Sequence, residues 1–220
     1  MSWLASSERV LQFGFYLIIA VGVFYSIILH EISHALVSHW LGDDTAKRLG
    51  RLSLNPFKHI DWFGTVLLPL MLVITNAGII FGYAKPVPLN PYNYRSYKRD
   101  VGLTALAGPV TNILIAIVLS LIYHIFTQAY IVQIICLNLI YMNLFLAFLN
   151  LIPIPPLDGS KVLGMFLPDE AYYRWTAQER NGMIFLLVLV GASYFLRVSL
   201  LFDIIAVPVR FVMALLNIPA

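Results

Sequence analysis

The fold is decided by residues 101–157, which read VGLTALAGPVTNILIAIVLSLIYHIFTQAYIVQIICLNLIYMNLFLAFLNLIPIPPL. No Asp, Glu, Lys or Arg interrupts this stretch, and it has room for two membrane-crossing helices of about 20 residues each. Residues 127–130 form the predicted turn between them. Other uncharged runs are 11–29, 62–84 and 181–196, and residues 198–216 are apolar apart from Asp203, Pro208 and Arg210.

The composition agrees with a surface that faces lipid. Apolar residues make up 60% of the 220 and charged residues 11%, whereas a soluble domain carries about 25% charge. We therefore predict an all-α polytopic membrane protein with about five transmembrane helices, a re-entrant segment and short extended loop segments. One membrane-embedded domain is expected over 1–220, with a core at about 10–165 and C-terminal helices at about 181–216.

The first helix is predicted to run from about Ser7, as N-cap, to Leu41, with Gly42 just beyond its C-terminal end. Near its end lies His30-Glu31-Ile32-Ser33-His34, an H-E-x-x-H motif. Residues four apart share one helix face, so His30 and His34 can bind one metal ion with Glu31 as general base. Ionisable groups in a spanning helix are costly, which favours a functional interpretation. The alternative is a buried hydrogen-bonded cluster.

A hydrolytic zinc site commonly has three protein ligands, and Asp158 is the candidate for the third. It is the first charged residue after 101–157, and the prolines of 150–159 break the preceding helix. Irregular backbone at membrane depth is tolerated only where it is buried in protein or lines a cavity. The alternative is that Asp158 merely N-caps the segment 159–167.

Together these motifs resemble the site-2 protease family of intramembrane zinc metalloproteases. The resemblance covers about 15–161 and includes H-E-x-x-H, AGPVTN at 107–112 and NLIPIPPLDG at 150–159. The loop GYAKPVPLNP at 82–91 is similar to the compact bacterial members. The resemblance implies that His30, His34 and Asp158 bind one zinc ion, that Glu31 is the catalytic carboxylate and that Asn150 helps to stabilise the transition state. Neither a PDZ insertion nor a C-terminal regulatory domain is expected.

The implied activity is an intramembrane zinc-dependent endopeptidase, in which Glu31 is the general base for a zinc-activated water. The expected partners are a transmembrane protein or peptide substrate and the lipid bilayer; nucleic acid is not expected. The alternatives are a membrane transporter or metal-binding scaffold, or a non-catalytic relative. A transporter is expected to show broken helices in two related halves, and we find no such internal symmetry.

The motifs also constrain the topology. His30 and His34 can meet Asp158 only if their helices end on the same side of the membrane, which requires 62–84 to re-enter rather than cross. That arrangement places eleven of the fourteen lysines and arginines on the side of the active site. The positive-inside rule makes this side cytoplasmic, in a bacterial plasma membrane. The eleven are Lys47, Arg48, Arg51, Lys58, Lys85, Arg95, Lys98, Arg99, Lys161, Arg174 and Arg180.

Other polar and aromatic residues are predicted to lie outside the centre. His39 falls on the opposite face of the first helix, His59 is expected at the surface or as a cap, and His124 is expected to reach towards the headgroups. Asn112 either forms a hydrogen bond across the site or only packs. The loop 85–100 is predicted to be an interfacial anchor through Tyr92, Tyr94 and Tyr97.

Overall fold

A computed structural model describes residues 2–75, 82–196 and 200–219, which are helical and contain no β-strand. The prediction of an all-helical chain is confirmed for these residues. Residues 76–81 of the predicted re-entrant segment 62–84, and residues 197–199, lie outside the described residues. The helices are α1 (Ser2–Trp40), α2 (Thr45–Arg48), α3 (Leu68–Ile74), α4 (Tyr97–Ile125), α5 (Tyr130–Asn150), α6 (Asp158–Gly164), α7 (Asp169–Thr176), α8 (Glu179–Leu196) and α9 (Leu200–Leu215).

Three of these helices are long and apolar enough to cross a membrane. They are Val10–Trp40 within α1, α4 and α5, with 31, 29 and 21 residues. At about 1.5 Å per residue, each spans roughly 30 Å or more, the thickness of the hydrocarbon core. The chain is therefore a membrane protein, as predicted. Five spans and a re-entrant segment stay predictions.

The ends of the long helices follow from local sequence. α1 already begins at Ser2, so Ser7 lies inside the helix and its predicted role as N-cap was wrong. Gly42 has φ of +114° just beyond the end of α1, a conformation that glycine adopts without a Cβ penalty. α4 ends at Ile125 and α5 begins at Tyr130, so the predicted turn at 127–130 is confirmed to within one residue.

α4 is the central helix of the fold. It packs against α1, α5 and α6, and α5 in turn packs against α9. The core between α4, α5 and α9 contains the buried side chains of Ala116, Cys136, Leu144 and Ile205. The lone cysteine is thus part of this packing. The central position of α4 lets it contact both α1 and α6, which carry the candidate ligands.

The segment between α2 and α4 returns to the place where it began. Residues Trp62–Leu67 form a π-helical turn that continues into α3. The Tyr83 amide then donates to the Gly64 carbonyl at 3.1 Å, and the Lys85 amide donates to the His59 carbonyl at 2.8 Å. The chain before this apolar segment therefore lies beside the chain after it. A Cβ on residue 64 would meet the Tyr83 ring, so a larger residue there would force this ring to move.

Asp43 ties the end of α1 to the segment that precedes α4. Its fully buried carboxylate accepts hydrogen bonds from the Asn90 amide at 2.7 Å, the Asn93 side chain at 2.8 Å, the Ser38 hydroxyl at 3.1 Å and the Thr45 amide at 3.0 Å. Burial raises the pKa of Asp43, but the hydrogen bonds from Asn90, Thr45 and Asn93 outweigh it and lower the pKa to about 2.

Tyr94 extends this network towards α4, which corrects one prediction. Its hydroxyl lies 2.9 Å from the Ser38 hydroxyl and accepts a hydrogen bond from Thr104 at 3.2 Å. Tyr94 is therefore buried rather than an interfacial anchor, while Tyr92 and Tyr97 are exposed and their role as anchors stays a prediction. Burial raises the pKa of the Tyr94 hydroxyl above its usual range, so this residue stays neutral.

Replacing Asp43 by Ala should destabilise the fold by about 2 kcal/mol at pH 7, since buried donors lose a charged acceptor. The folded pKa of Asp43 lies below its ordinary value of 3.8. Its contribution is therefore fully present above about pH 4 and is lost as the pH falls towards 2. Thermal unfolding in detergent at pH 7 and pH 3 measures both effects. Asp44→Ala, which affects only a partly exposed contact with His39, is the matched control. Equal losses for the two variants at pH 7 would contradict the prediction.

Candidate metal centre

His30 and His34 lie one helical turn apart on the same face of α1. Their ring centroids are 4.6 Å apart and the rings are nearly perpendicular. Each residue is only 7% exposed. The spacing of four residues thus brings the two imidazoles together, as the motif predicts.

Asp158 is brought to the same place by the break after α5. Residues 151–157 form an irregular turn, which includes a cis peptide bond between Pro155 and Pro156, and Asp158 is the first residue of α6. Its Oδ2 lies 3.2 Å from His30 Nε2 and 3.3 Å from His34 Nε2. The N-cap position is occupied by Leu157, and the Asp158 side chain faces the histidines. The alternative role of Asp158 as an N-cap was therefore wrong.

Residues of α4 orient both imidazole rings from behind. His30 Nδ1 lies 3.1 Å from Asn112 Oδ1, and His34 Nδ1 lies 2.7 Å from the Thr104 carbonyl oxygen. Because these oxygens only accept hydrogen bonds, each Nδ1 is the donor in its contact, and Nε2 is the ring nitrogen that faces Asp158 and could bind a metal. Histidines that bind a metal commonly donate their other ring N–H in this way. Asn112 thus does form a hydrogen bond at the site.

Gly108 leaves the room that the two rings need. A Cβ at this position would collide with the imidazoles of both His30 and His34. The glycine therefore lets α4 approach α1 closely at the candidate metal centre itself.

These side chains fit a zinc ion in number, chemistry and spacing. The candidate ligand atoms of His30, His34 and Asp158 all lie within 4.8 Å of one another. Atoms about 2.0 Å from a tetrahedral zinc ion lie roughly 3.3 Å apart, which matches both distances from Asp158 Oδ2 to the histidines. Two imidazole nitrogens and one carboxylate also leave a fourth position for water or substrate.

The two other predicted site residues have partners of their own. The Val87 amide donates to Glu31 Oε2 at 2.9 Å. The side-chain nitrogen of Asn150 donates to the carbonyl of Leu146 in its own helix at 3.0 Å. Glu31 is therefore held by residues 82–96, the segment that precedes α4, whereas the Asn150 side chain is hydrogen-bonded within its own helix, α5.

Three histidines lie away from the centre, and one of them is buried. His39 forms a close contact with Asp44 rather than with the candidate ligands, and His124 lies 3.0 Å from the Leu216 carbonyl. His59 caps the short 3₁₀ helix Pro56–Lys58 at its C-terminal end, which is one of its two predicted roles, but it is fully buried rather than at the surface, with Nε2 donating to the Ser53 carbonyl at 2.8 Å. The sequence around His59 carries no apolar periodicity that would have revealed this burial.

The chain has curated relatives in bacteria and archaea. It is 36% identical over 184 residues to the Bacillus subtilis protein named "Putative zinc metalloprotease YwhC", a match that covers 79% of each chain. It is 32% identical over 148 residues to the Methanocaldococcus jannaschii protein named "Putative zinc metalloprotease MJ0611", covering 66% of this chain and 68% of the relative. A Mycolicibacterium smegmatis protein named "Putative zinc metalloprotease Rip2" is 28% identical over 86% of this chain. No family model and no solved structure matches the chain.

The chain therefore belongs to this site-2 protease-like family of zinc metalloproteases, and the predicted resemblance is confirmed. The helical membrane fold and the grouping of His30, His34 and Asp158 are consistent with that membership.

Asn112 provides a test of how the site is held. Asn112→Leu should lower zinc affinity by about 10- to 100-fold, because His30 loses the acceptor that fixes its orientation. Asn112→Asp keeps an acceptor of the same size and should retain the affinity. Competition with a chromophoric chelator measures both. If the Leu variant binds zinc as tightly as the wild type, this hydrogen bond does not position His30.

Proposed function

We propose that this chain is an intramembrane zinc endopeptidase that cleaves membrane-spanning proteins or peptides. The observation that carries the proposal is the convergence of His30, His34 and Asp158 at the end of an apolar helix long enough to span the bilayer. The names of the relatives support a zinc-dependent protease. They do not favour the alternative of a transporter or metal scaffold.

In this proposal His30 Nε2, His34 Nε2 and an Asp158 carboxylate oxygen would hold one zinc ion per chain. When bound, zinc supplies Lewis acidity, which lowers the pKa of water and polarises a carbonyl group. The chain itself fixes the two rings through Asn112 and Thr104, and it buries them by packing Gly108 of α4 against them.

Glu31 is the proposed general base. It takes a proton from the attacking water and returns it to the leaving amine. Val87 holds Oε2, and Oε1 has no hydrogen bond to any residue in the described part of the chain. One carboxylate oxygen is thus oriented by the protein and the other is available for proton transfer.

Asn150 is the proposed donor to the oxyanion that develops on the scissile carbonyl. An amide nitrogen carries two hydrogens, and only one of those on Asn150 is needed for the Leu146 carbonyl. The second can be donated to substrate. Loss of one such donor typically costs about 100- to 1000-fold in rate.

The topology that we propose has the apolar segment 62–84 entering the membrane and returning on the same side. The hydrogen bonds that join Tyr83 to Gly64 and Lys85 to His59 support re-entry, because the two ends of a full crossing would lie about 30 Å apart. α8 and α9 would be the fourth and fifth spans around a single domain. The active site would then face the cytoplasm of a bacterial cell.

The catalytic assignment predicts different losses for two variants. Glu31→Gln should keep zinc but reduce cleavage of a transmembrane substrate by at least about 100-fold, since the proton acceptor is gone. Asp158→Asn should lose zinc, because a carboxylate ligand becomes a neutral amide. Metal analysis of purified protein and cleavage in proteoliposomes measure both properties. Full activity in Glu31→Gln would refute the proposed base, and unchanged zinc in Asp158→Asn would remove it from the ligand set.

Topology can be tested with single cysteines in a Cys136→Ala background. Lys58→Cys precedes the apolar segment, Arg95→Cys follows it, and both positions are exposed. A membrane-impermeant maleimide should label both from the same side of oriented vesicles. Gln128→Cys, in the turn between α4 and α5, should be labelled from the other side. Labelling of positions 58 and 95 from opposite sides would mean a full crossing.

A further inference from the structure

The Glu31 carboxylate accepts a hydrogen bond from the backbone amide of Val87, a residue whose conformation is restricted by a proline on each side. Val87 lies between Pro86 and Pro88, neither of which has an N–H group. The Val87 amide is therefore the only backbone donor in these three residues, and it is directed at Glu31 Oε2 at 2.9 Å. Proline also restricts the residue before it to extended conformations, which fixes the backbone of Lys85 and Val87.

The Val87 side chain anchors the same segment to α1. It is 7% exposed and packs in a small cluster with Ala35 and Ala46. Ala35 lies four residues after Glu31 and so shares its helix face. The segment thus contacts α1 twice on one face, with an apolar side chain on Ala35 and a backbone amide on Glu31.

Arg51 binds the other edge of the same peptide group. One of its terminal nitrogens, Nη2, donates to the Lys85 carbonyl at 2.6 Å and to the Pro86 carbonyl at 3.3 Å. The Pro86 carbonyl and the Val87 amide belong to one planar trans peptide and point in opposite directions. Arg51 and Glu31 therefore bind opposite edges of a single peptide group.

Among the residues that the structure describes, no carboxylate pairs directly with the charge of Arg51. Arg51 is 8% exposed, its Nε has no hydrogen-bond partner, and it forms no ion pair with a described Asp or Glu. Burial of a guanidinium without a carboxylate partner is costly. The Pro86–Val87 peptide connects Arg51 to the Glu31 carboxylate. A cation bound to the carbonyl of a peptide group polarises that group and makes its N–H a stronger hydrogen-bond donor.

We propose that Arg51 is a positioning residue for Glu31, acting through the Pro86–Val87 peptide. Arg51 holds this peptide so that its N–H fixes one oxygen of the catalytic carboxylate. The inference rests on the proposed function, in which Glu31 is the general base. It adds a residue that lies outside the H-E-x-x-H motif and does not touch the metal or the substrate.

The peptide can be observed directly, because the chain contains only three Pro–Val pairs, at 86–87, 109–110 and 208–209. Protein labelled with carbonyl-13C proline and 15N valine should give three cross-peaks in a carbonyl–amide correlation spectrum. The peak from 86–87 reports on two groups. They are the Pro86 carbonyl, which accepts a hydrogen bond from Arg51, and the Val87 amide, which donates one to Glu31. The other two pairs lie in α4 and α9 and serve as internal references.

Glu31→Gln should move the Val87 amide proton, because a charged acceptor becomes neutral. Arg51→Gln should move the Pro86 carbonyl carbon and the Val87 amide proton while both reference peaks stay in place. On the Glu31→Gln background, the same substitution should move the Val87 proton less. A residue that only stabilised the fold would affect all three peaks or none.

In cleavage assays Arg51→Gln should lower kcat about 10- to 100-fold, because a misplaced catalytic group is costly. Zinc content and KM should stay near wild type. Arg51→Lys keeps the charge and one donor and should recover part of the rate. Arg48→Gln, three residues earlier and exposed, is the control and should behave as wild type.

The outcomes separate this inference from the proposed function. Full cleavage by Glu31→Gln would reject the general base, whatever the spectra show. Loss of cleavage in Glu31→Gln, together with wild-type kcat and an unmoved 86–87 peak in a folded, zinc-bound Arg51→Gln protein, would reject the role of Arg51 alone. If Arg51→Gln does not fold, the comparison of wild type with Glu31→Gln decides, and an unmoved Val87 proton overturns the inference.

Discussion

The structure depends on the placement of one carboxylate between two imidazoles. Asp158 Oδ2 lies within 3.3 Å of both His30 Nε2 and His34 Nε2, in a chain with few charged residues. Polar groups buried among apolar helices are costly unless they are paired or bind a metal. Their convergence therefore constrains three elements at once. α1 must present both histidines on one face, the chain must break after α5 to aim Asp158, and α4 must approach closely enough to support the rings.

α4 meets this requirement by combining a missing side chain with two oxygen acceptors. Gly108 gives the imidazoles space, while Asn112 and the Thr104 carbonyl, on either side of it along the helix, receive their Nδ1 protons. Less than three turns of α4 thus provide the space for the two imidazole rings and the hydrogen bonds that fix their orientation. The same helix packs against α5 and α6, so the global packing of the bundle and the local geometry of the site are coupled.

A second set of contacts fixes residues 82–96, the segment that precedes α4. Asp43 accepts a hydrogen bond from the Asn90 amide, and the His59 carbonyl and the Arg51 side chain bind the backbone of Lys85. The Val87 amide of this segment donates to Glu31. Backbone hydrogen bonds suit this purpose because they depend on the path of the chain rather than on flexible side chains. The segment that holds the proposed base is thereby joined to the same helix that carries the candidate ligands.

Local sequence determined the helical membrane class, the pairing of His30 with His34 and the candidacy of Asp158, because helical periodicity and a helix-breaking run of prolines act over a few residues. The contributions of Thr104 and Val87 could not be read in this way, since both act through backbone atoms that every residue type possesses. Nor could the burial of His59 and Arg51, which lie in a polar loop whose neighbours come from distant parts of the chain. The sequence by itself thus specified which side chains could do chemistry. Only the tertiary structure decided which backbone groups hold them, because long-range hydrogen bonds depend on how separate segments meet in space.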